Sequence, residues 1–173
     1  SFRPPVGDFE LPEALSTQTA EGQTAGKCEV ICFAADHGKS LKDLAPSQVR
    51  IILEAWKDRV RELSQASYIA HIAPFENRGE EVGVTLAHPH GQIYAYSYIP
   101  PKVSRMLEIA KKHKERTGKV LFDEIVACEI KDEERIVAEN KHWVAYVPYA
   151  ARYSFEIHVA PKVSVADLSE LTP

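Results

Sequence analysis

The chain has 173 residues, 45% of them hydrophobic and 27% charged, which suits one ordinary globular domain and excludes a disordered or fibrous protein. A net charge of −4 offers no partner face for nucleic acid or an anionic membrane, and no apolar run nears the ~20 residues of a membrane span. Three cysteines make no disulfide framework and Ser1-Phe2-Arg3-Pro4-Pro5 lacks a signal-peptide pattern, so the expected compartment is the cytoplasm.

Residues 1–26, rich in Pro, Gly, Ser, Thr and Glu without a sustained period, read as an irregular lead-in. Lys27 to Phe33 has strand composition and runs into the turn signal Asp36-His37-Gly38. Pro46 opens a helix whose stripe of Val49, Ile52, Leu53, Trp56, Val60 and Leu63 recurs on one face. Tyr68–Phe75 reads as a strand that enters the turn Asn77-Arg78-Gly79, and Val84–Tyr98 as a long strand. Pro100-Pro101 ends that strand. A basic helix over Val103–Arg116 and a second over Val120–Ile130 follow. Arg135–Glu139, Trp143–Val147 and Phe155–Pro161 complete the set as strands, which makes an α+β fold with a mainly antiparallel sheet.

Phe155 to Pro173 aligns without a gap on Cys28 to Pro46, with Glu156, Leu168, Leu171 and Pro173 matching Glu29, Leu41, Leu44 and Pro46. The expectation is a duplicated fold, with a first half over 27–134 and the start of a second over 135–173. A second copy that stops where its long helix would begin implies a piece of a larger protein.

The chemistry concentrates in His88-Pro89-His90-Gly91-Gln92. Histidines two apart on a strand share a face about 7 Å apart, and the proline between them stiffens the backbone. A neutral imidazole can attack phosphorus and split one phosphoryl transfer into two easier steps, provided its other nitrogen donates to a fixed acceptor. His90 is the candidate nucleophile. Gln92, next in the alternation, can donate to a phosphoryl oxygen as charge builds there, and Gly91 leaves room for a ligand. Cys28 and Cys32, some 13 Å apart on a strand, cannot share a metal and read as buried core residues. His71 reads as a sheet residue, and His113 among Lys111, Lys112 and Lys114 as part of a solvated helix face.

This string, with Phe75-Glu76-Asn77-Arg78-Gly79, Gly83, Asp36-His37, Glu139-Asn140-Lys141-His142-Trp143 and Val147-Pro148-Tyr149 in the same order, resembles the galactose-1-phosphate uridylyltransferases, the transferase branch of the histidine-triad superfamily. Gln92 stands where the hydrolase branch has a third histidine. The resemblance implies that His90 takes UMP from UDP-glucose and passes it to galactose 1-phosphate, and that Gln92 holds the phosphoryl oxygens. It also implies that Asn77, Arg78, Gly83 and Thr85 line the nucleotide phosphates, and that the enzyme is a homodimer. His37 and His88 match two ligands of a structural zinc, whose Cys-x-x-Cys partners would precede this stretch, so that site is incomplete here. Met106 replaces the glutamate through which some members bind iron, which argues against iron, and Leu86-Ala87 replaces the family's Asn-Pro. The alternatives are a related ADP-sugar or dinucleoside-polyphosphate enzyme, or a non-catalytic nucleotide- or zinc-binding half.

Overall fold

The computed structural model describes residues 26–82, 84 and 88–171, so residues 1–25 of the lead-in, Gly83, Thr85, Leu86-Ala87 and Pro173 lie outside the described residues. The fold is α+β, with antiparallel sheets. Its contacts divide the chain at 100/101 into two units, a division that leaves the 134/135 boundary expected from the repeat inside the second of them.

In the first unit, β1 (Gly26–Cys32), α1 (Pro46–Ser64), β2 (His71–Phe75) and β3 (His90–Tyr96) follow in order. The sheet order is β1-β3-β2, so β3 is the central strand, paired antiparallel on both sides. Along β3, Gly91, Ile93 and Ala95 are buried, while His90, Gln92, Tyr94 and Tyr96 alternate with them on the half-buried face. That is the period-two pattern of a strand with one covered face. The covering element is α1, which opens at Pro46 and supplies Trp56 and Leu63 to a core with Ile93, Ala95, Ile31, Ile69 and Ile72. Two polar links tie α1 to β1 and to Phe33 directly after it. Gln48 Nε2 donates to the Phe33 carbonyl at 2.9 Å, and Arg59 grips Glu29 through two bonds of 2.7 and 2.8 Å. The Arg59 guanidinium holds the Glu29 carboxyl below its ordinary value.

Several sequence expectations are corrected here. Leu53 of the helical stripe is 46% exposed, because the face set by Ile52, Val60 and Leu63 turns it away from the sheet. Cys28 and Cys32 are exposed rather than buried. Their register partners are Tyr94 and His90, which places them on the outward face of the sheet. The strand expected over Val84–Tyr98 begins only at His90, and His88 lies in a bend before it. Gly91 also has a different role. A Cβ there would come within 2.7 Å of the Phe33 ring and 2.8 Å of Trp56, so the missing side chain admits core aromatics and not a ligand.

In the second unit, α2 (Pro101–Thr117) ends at Gly118, whose φ of +74° suits a residue without Cβ, and α3 (Leu121–Asp132) follows. The strands β4 (Ile136–Glu139), β5 (Trp143–Tyr146) and β6 (His158–Pro161) form a second antiparallel sheet in that order. Val126 of α3 packs with Val144 and Tyr146 of β5, and buried Glu129 is neutralised by Arg135 at 2.8 Å. The Asn140 side chain accepts from the backbone N–H of His142 and Trp143, both at 2.8 Å, and closes the β4–β5 hairpin. His113 is not part of the solvated face. Its Nε2 lies 2.6 Å from Glu124, and its side chain is only 16% exposed. The strand expected from Phe155 starts three residues later. Phe155 is in the left-handed region at φ +63°, and the Glu156 carboxylate accepts from the backbone N–H of Arg152 and Tyr153 instead of continuing the ladder. Of the residues paired by the repeat, Cys28–Val30 are therefore in a strand and Phe155–Ile157 are not.

Gly91→Ala is expected to destabilise the protein by about 1–3 kcal/mol, since the added methyl overpacks a site walled by two aromatic rings. Chemical denaturation of both proteins checks this; equal stability would remove Gly91 from the core.

Candidate active site

A cleft of about 270 Å³ opens at the start of β3. Its walls are Lys39-Ser40 after β1, Glu76 to Glu80 after β2, Val84, and His88-Pro89-His90 at the mouth of β3. The three longer segments each reach the cleft for a local reason. Asp36 accepts from the Gly38 N–H at 2.9 Å and turns the chain back after β1. Ser40 and Asp43 then cap one another, the Ser40 hydroxyl donating to the Asp43 carboxylate at 2.6 Å and its N–H at 3.0 Å. These bonds, together with Lys42, pull the Asp43 carboxyl down to about 2. After β2, Gly79 adopts φ +101°, a conformation that favours glycine, and the turn it allows carries Asn77 and Arg78 to the rim. At β3, the Phe33 N–H donates to the Pro89 carbonyl at 2.8 Å and extends the sheet bonding one residue before His90.

His90 itself is the best-defined group. Its Nδ1 lies 2.7 Å from the His88 carbonyl oxygen. A carbonyl oxygen only accepts, so this contact requires the proton on Nδ1 and leaves the Nε2 lone pair free. The arrangement is that of a nucleophilic or basic imidazole held in one tautomer.

The structure brings Asn77, Arg78, His88 and His90 to one cleft. Gln92 stands one step further along the same face of β3, outside the residues that wall the cleft, and its Oε1 accepts from the Tyr94 hydroxyl at 3.2 Å. His37 does not wall the cleft either, but its Nδ1 meets that of His88 at 2.9 Å, with ring centroids 4.4 Å apart. Two nitrogens bound at ~2.05 Å to one tetrahedral zinc lie ~3.3 Å apart, so the pair needs only a small opening to share an ion. No group of three or more His, Cys, Asp or Glu suited to a metal occurs among the described residues. Met106 is exposed, and Glu108 beside it on α2 is taken up by Arg105 at 2.7 Å and Lys112 at 2.6 Å.

Sequence reasoning missed Lys39, a cation on the cleft wall. The signal was present: Lys39 directly follows Asp36-His37-Gly38, whose His37 meets His88 beside the cleft. Tyr94 was likewise overlooked, because a tyrosine in a strand reads first as packing.

The family model described as galactose-1-phosphate uridyl transferase, N-terminal domain, matches residues 13–100, and that of the C-terminal domain matches residues 106–173. A galactose-1-phosphate uridylyltransferase of Streptomyces lividans is 46% identical over 145 residues, 83% of this chain and 41% of that protein. A solved uridylyltransferase superposes with a TM-score of 0.81 at 34% identity, covering 89% of this chain and 51% of that one. An ADP-glucose phosphorylase from Arabidopsis thaliana, solved with ADP-glucose bound, gives a TM-score of 0.77 at 32% identity over 92% of this chain and 49% of its own. The chain spans about half the length of the curated relatives it matches.

The tautomer of His90 is directly observable. Nitrogen NMR of the labelled protein is expected to show a protonated Nδ1 and an unprotonated Nε2 for His90 in the neutral ring. The opposite assignment would break the link to the His88 carbonyl.

Proposed function

The chain belongs to the galactose-1-phosphate uridyl transferase family, and from that premise we propose that it moves UMP from UDP-glucose to galactose 1-phosphate through a covalent uridylyl-His90. The observation that carries this reading is the 2.7 Å bond from His90 Nδ1 to the His88 carbonyl. In the first step Nε2 forms a bond to the α-phosphorus, and the bond from that phosphorus to the bridging oxygen breaks. Glucose 1-phosphate leaves with the electron pair. The ring now carries a proton on Nδ1 and phosphorus on Nε2, and the His88 carbonyl stabilises its positive charge. In the second step a phosphate oxygen of galactose 1-phosphate attacks the same phosphorus and Nε2 regains its lone pair.

Gln92 donates to the phosphoryl oxygens, and Arg78, Asn77 and Lys39 supply charge and hydrogen bonds along the phosphates from the cleft wall. Gly83 and Thr85 belong to the same phosphate side in this reading. His37 and His88 would be two ligands of a structural zinc, which would pin the segment after β1 to the entry of β3. No helix among the described residues is long and apolar enough to cross a membrane. A cytoplasmic homodimer completes the proposal.

Incubation with radiolabelled UDP-glucose is expected to leave an acid-labile UMP adduct on His90 by mass spectrometry, discharged by galactose 1-phosphate. Gln92→Ala should slow its formation on the order of a hundredfold. An adduct formed from ADP-glucose and not from UDP-glucose would replace this substrate class with the adenine nucleotides. A protein that binds nucleotide and is never modified would be a binding module. For the zinc, His37→Ala is expected to lower bound metal and thermal stability together, by elemental analysis and calorimetry. A change in neither would leave the histidine pair as a simple hydrogen bond.

A further inference from the structure

His90, Gln92 and Tyr94 stand at successive two-residue steps on the outward face of β3. The Tyr94 hydroxyl donates to Gln92 Oε1 at 3.2 Å, and no other side chain among the described residues bonds that amide. The phenol ring is braced on two sides. Phe75 meets it edge to face with centroids 4.8 Å apart, and Tyr96 does so at 6.1 Å. Its neighbours across the two flanking strands are Cys28 and Ala73, both small, so the ring has room to lie along the sheet toward Gln92.

A primary amide has two ends of nearly equal size and opposite function: the nitrogen donates and the oxygen accepts. A phosphoryl oxygen can only accept. An amide rotated the wrong way would set its own lone pairs against an anionic oxygen, so its orientation decides whether it helps or repels. We propose that Tyr94 is a positioning residue, whose hydroxyl holds Gln92 Oε1 so that the Gln92 amino group faces the phosphoryl group carried by His90. The proposal rests on the reading of His90 as the nucleotidylated residue, and it assigns to a tyrosine of the strand a part in the transfer that packing alone would not require.

The test is a double-mutant cycle on the full chain. Tyr94→Phe keeps the ring and removes the hydroxyl, so the contacts with Phe75 and Tyr96 survive. It is expected to slow UMP-adduct formation at saturating UDP-glucose roughly fivefold, the size of one neutral hydrogen bond, with KM unchanged. In a Gln92→Ala background the same change should have no further effect, since there is no amide left to orient. An equal slowing in both backgrounds, or none in either, would overturn the proposal. The side-chain amide signals of Gln92 in a nitrogen–proton NMR spectrum provide a readout independent of turnover, and they should shift in Tyr94→Phe. If the unmodified protein takes no adduct while those signals shift, the fault lies in the transfer reading; signals that stay in place put it in the Tyr94 contact.

Discussion

The geometry of the candidate site depends on which face of β3 is buried. Alternation along a strand is strict, so a slip of one residue would send His90, Gln92 and Tyr94 into the core and expel Ile93 and Ala95. The phase is held where the strand starts, at Gly91, against which Phe33 and Trp56 pack so closely that no side chain fits. A glycine on the inner face thus secures a histidine on the outer one. Central placement between β1 and β2 strengthens the hold, because register is then enforced from both sides.

From that fixed phase the tautomer of His90 follows with few further parts. The backbone carbonyl of His88, two residues back, receives the Nδ1 proton, and Pro89 between them restricts the turn through which this bond is made. The carbonyl of Pro89 is itself tied to the Phe33 N–H, so the turn cannot drift from the sheet. The His88 side chain points its Nδ1 at His37 rather than at His90. One residue therefore serves two purposes, its main chain setting a tautomer and its side chain joining the loop after β1 to the entry of β3.

That loop also explains the composition of the cleft. Asp36, Ser40 and Asp43 spend their hydrogen bonds on local turns, which leaves Lys39 projecting to the wall. On the other side the left-handed Gly79 delivers Asn77 and Arg78. Both cations reach the site from turns whose shapes are made by their neighbours, not from the sheet. The outward face of the sheet carries a different resource: a row of aromatic rings beside Gln92, in which Tyr94 has the one hydroxyl bonded to the amide.

By itself the sequence determined the α+β class and the long helix, and it singled out His90, Asn77 and Arg78, which the structure brings to one cleft. These are written in local periods, turn residues and one dense motif, all within reach of a single segment. What a residue faces across a sheet is not local. Cys28 and Cys32 looked like core and are exposed; Gly91 looked like a ligand clearance and is core packing; His113 looked solvated and is paired with Glu124. Phe155 looked extended, and a carboxylate one residue on bends the chain there. In each case the deciding partner is a neighbouring strand, a second helix or a turn bond absent from the local pattern. Only tertiary structure supplies those partners, because burial and hydrogen bonding are settled by contacts between segments distant in the chain, whereas periodicity records only the preference of each segment for one face.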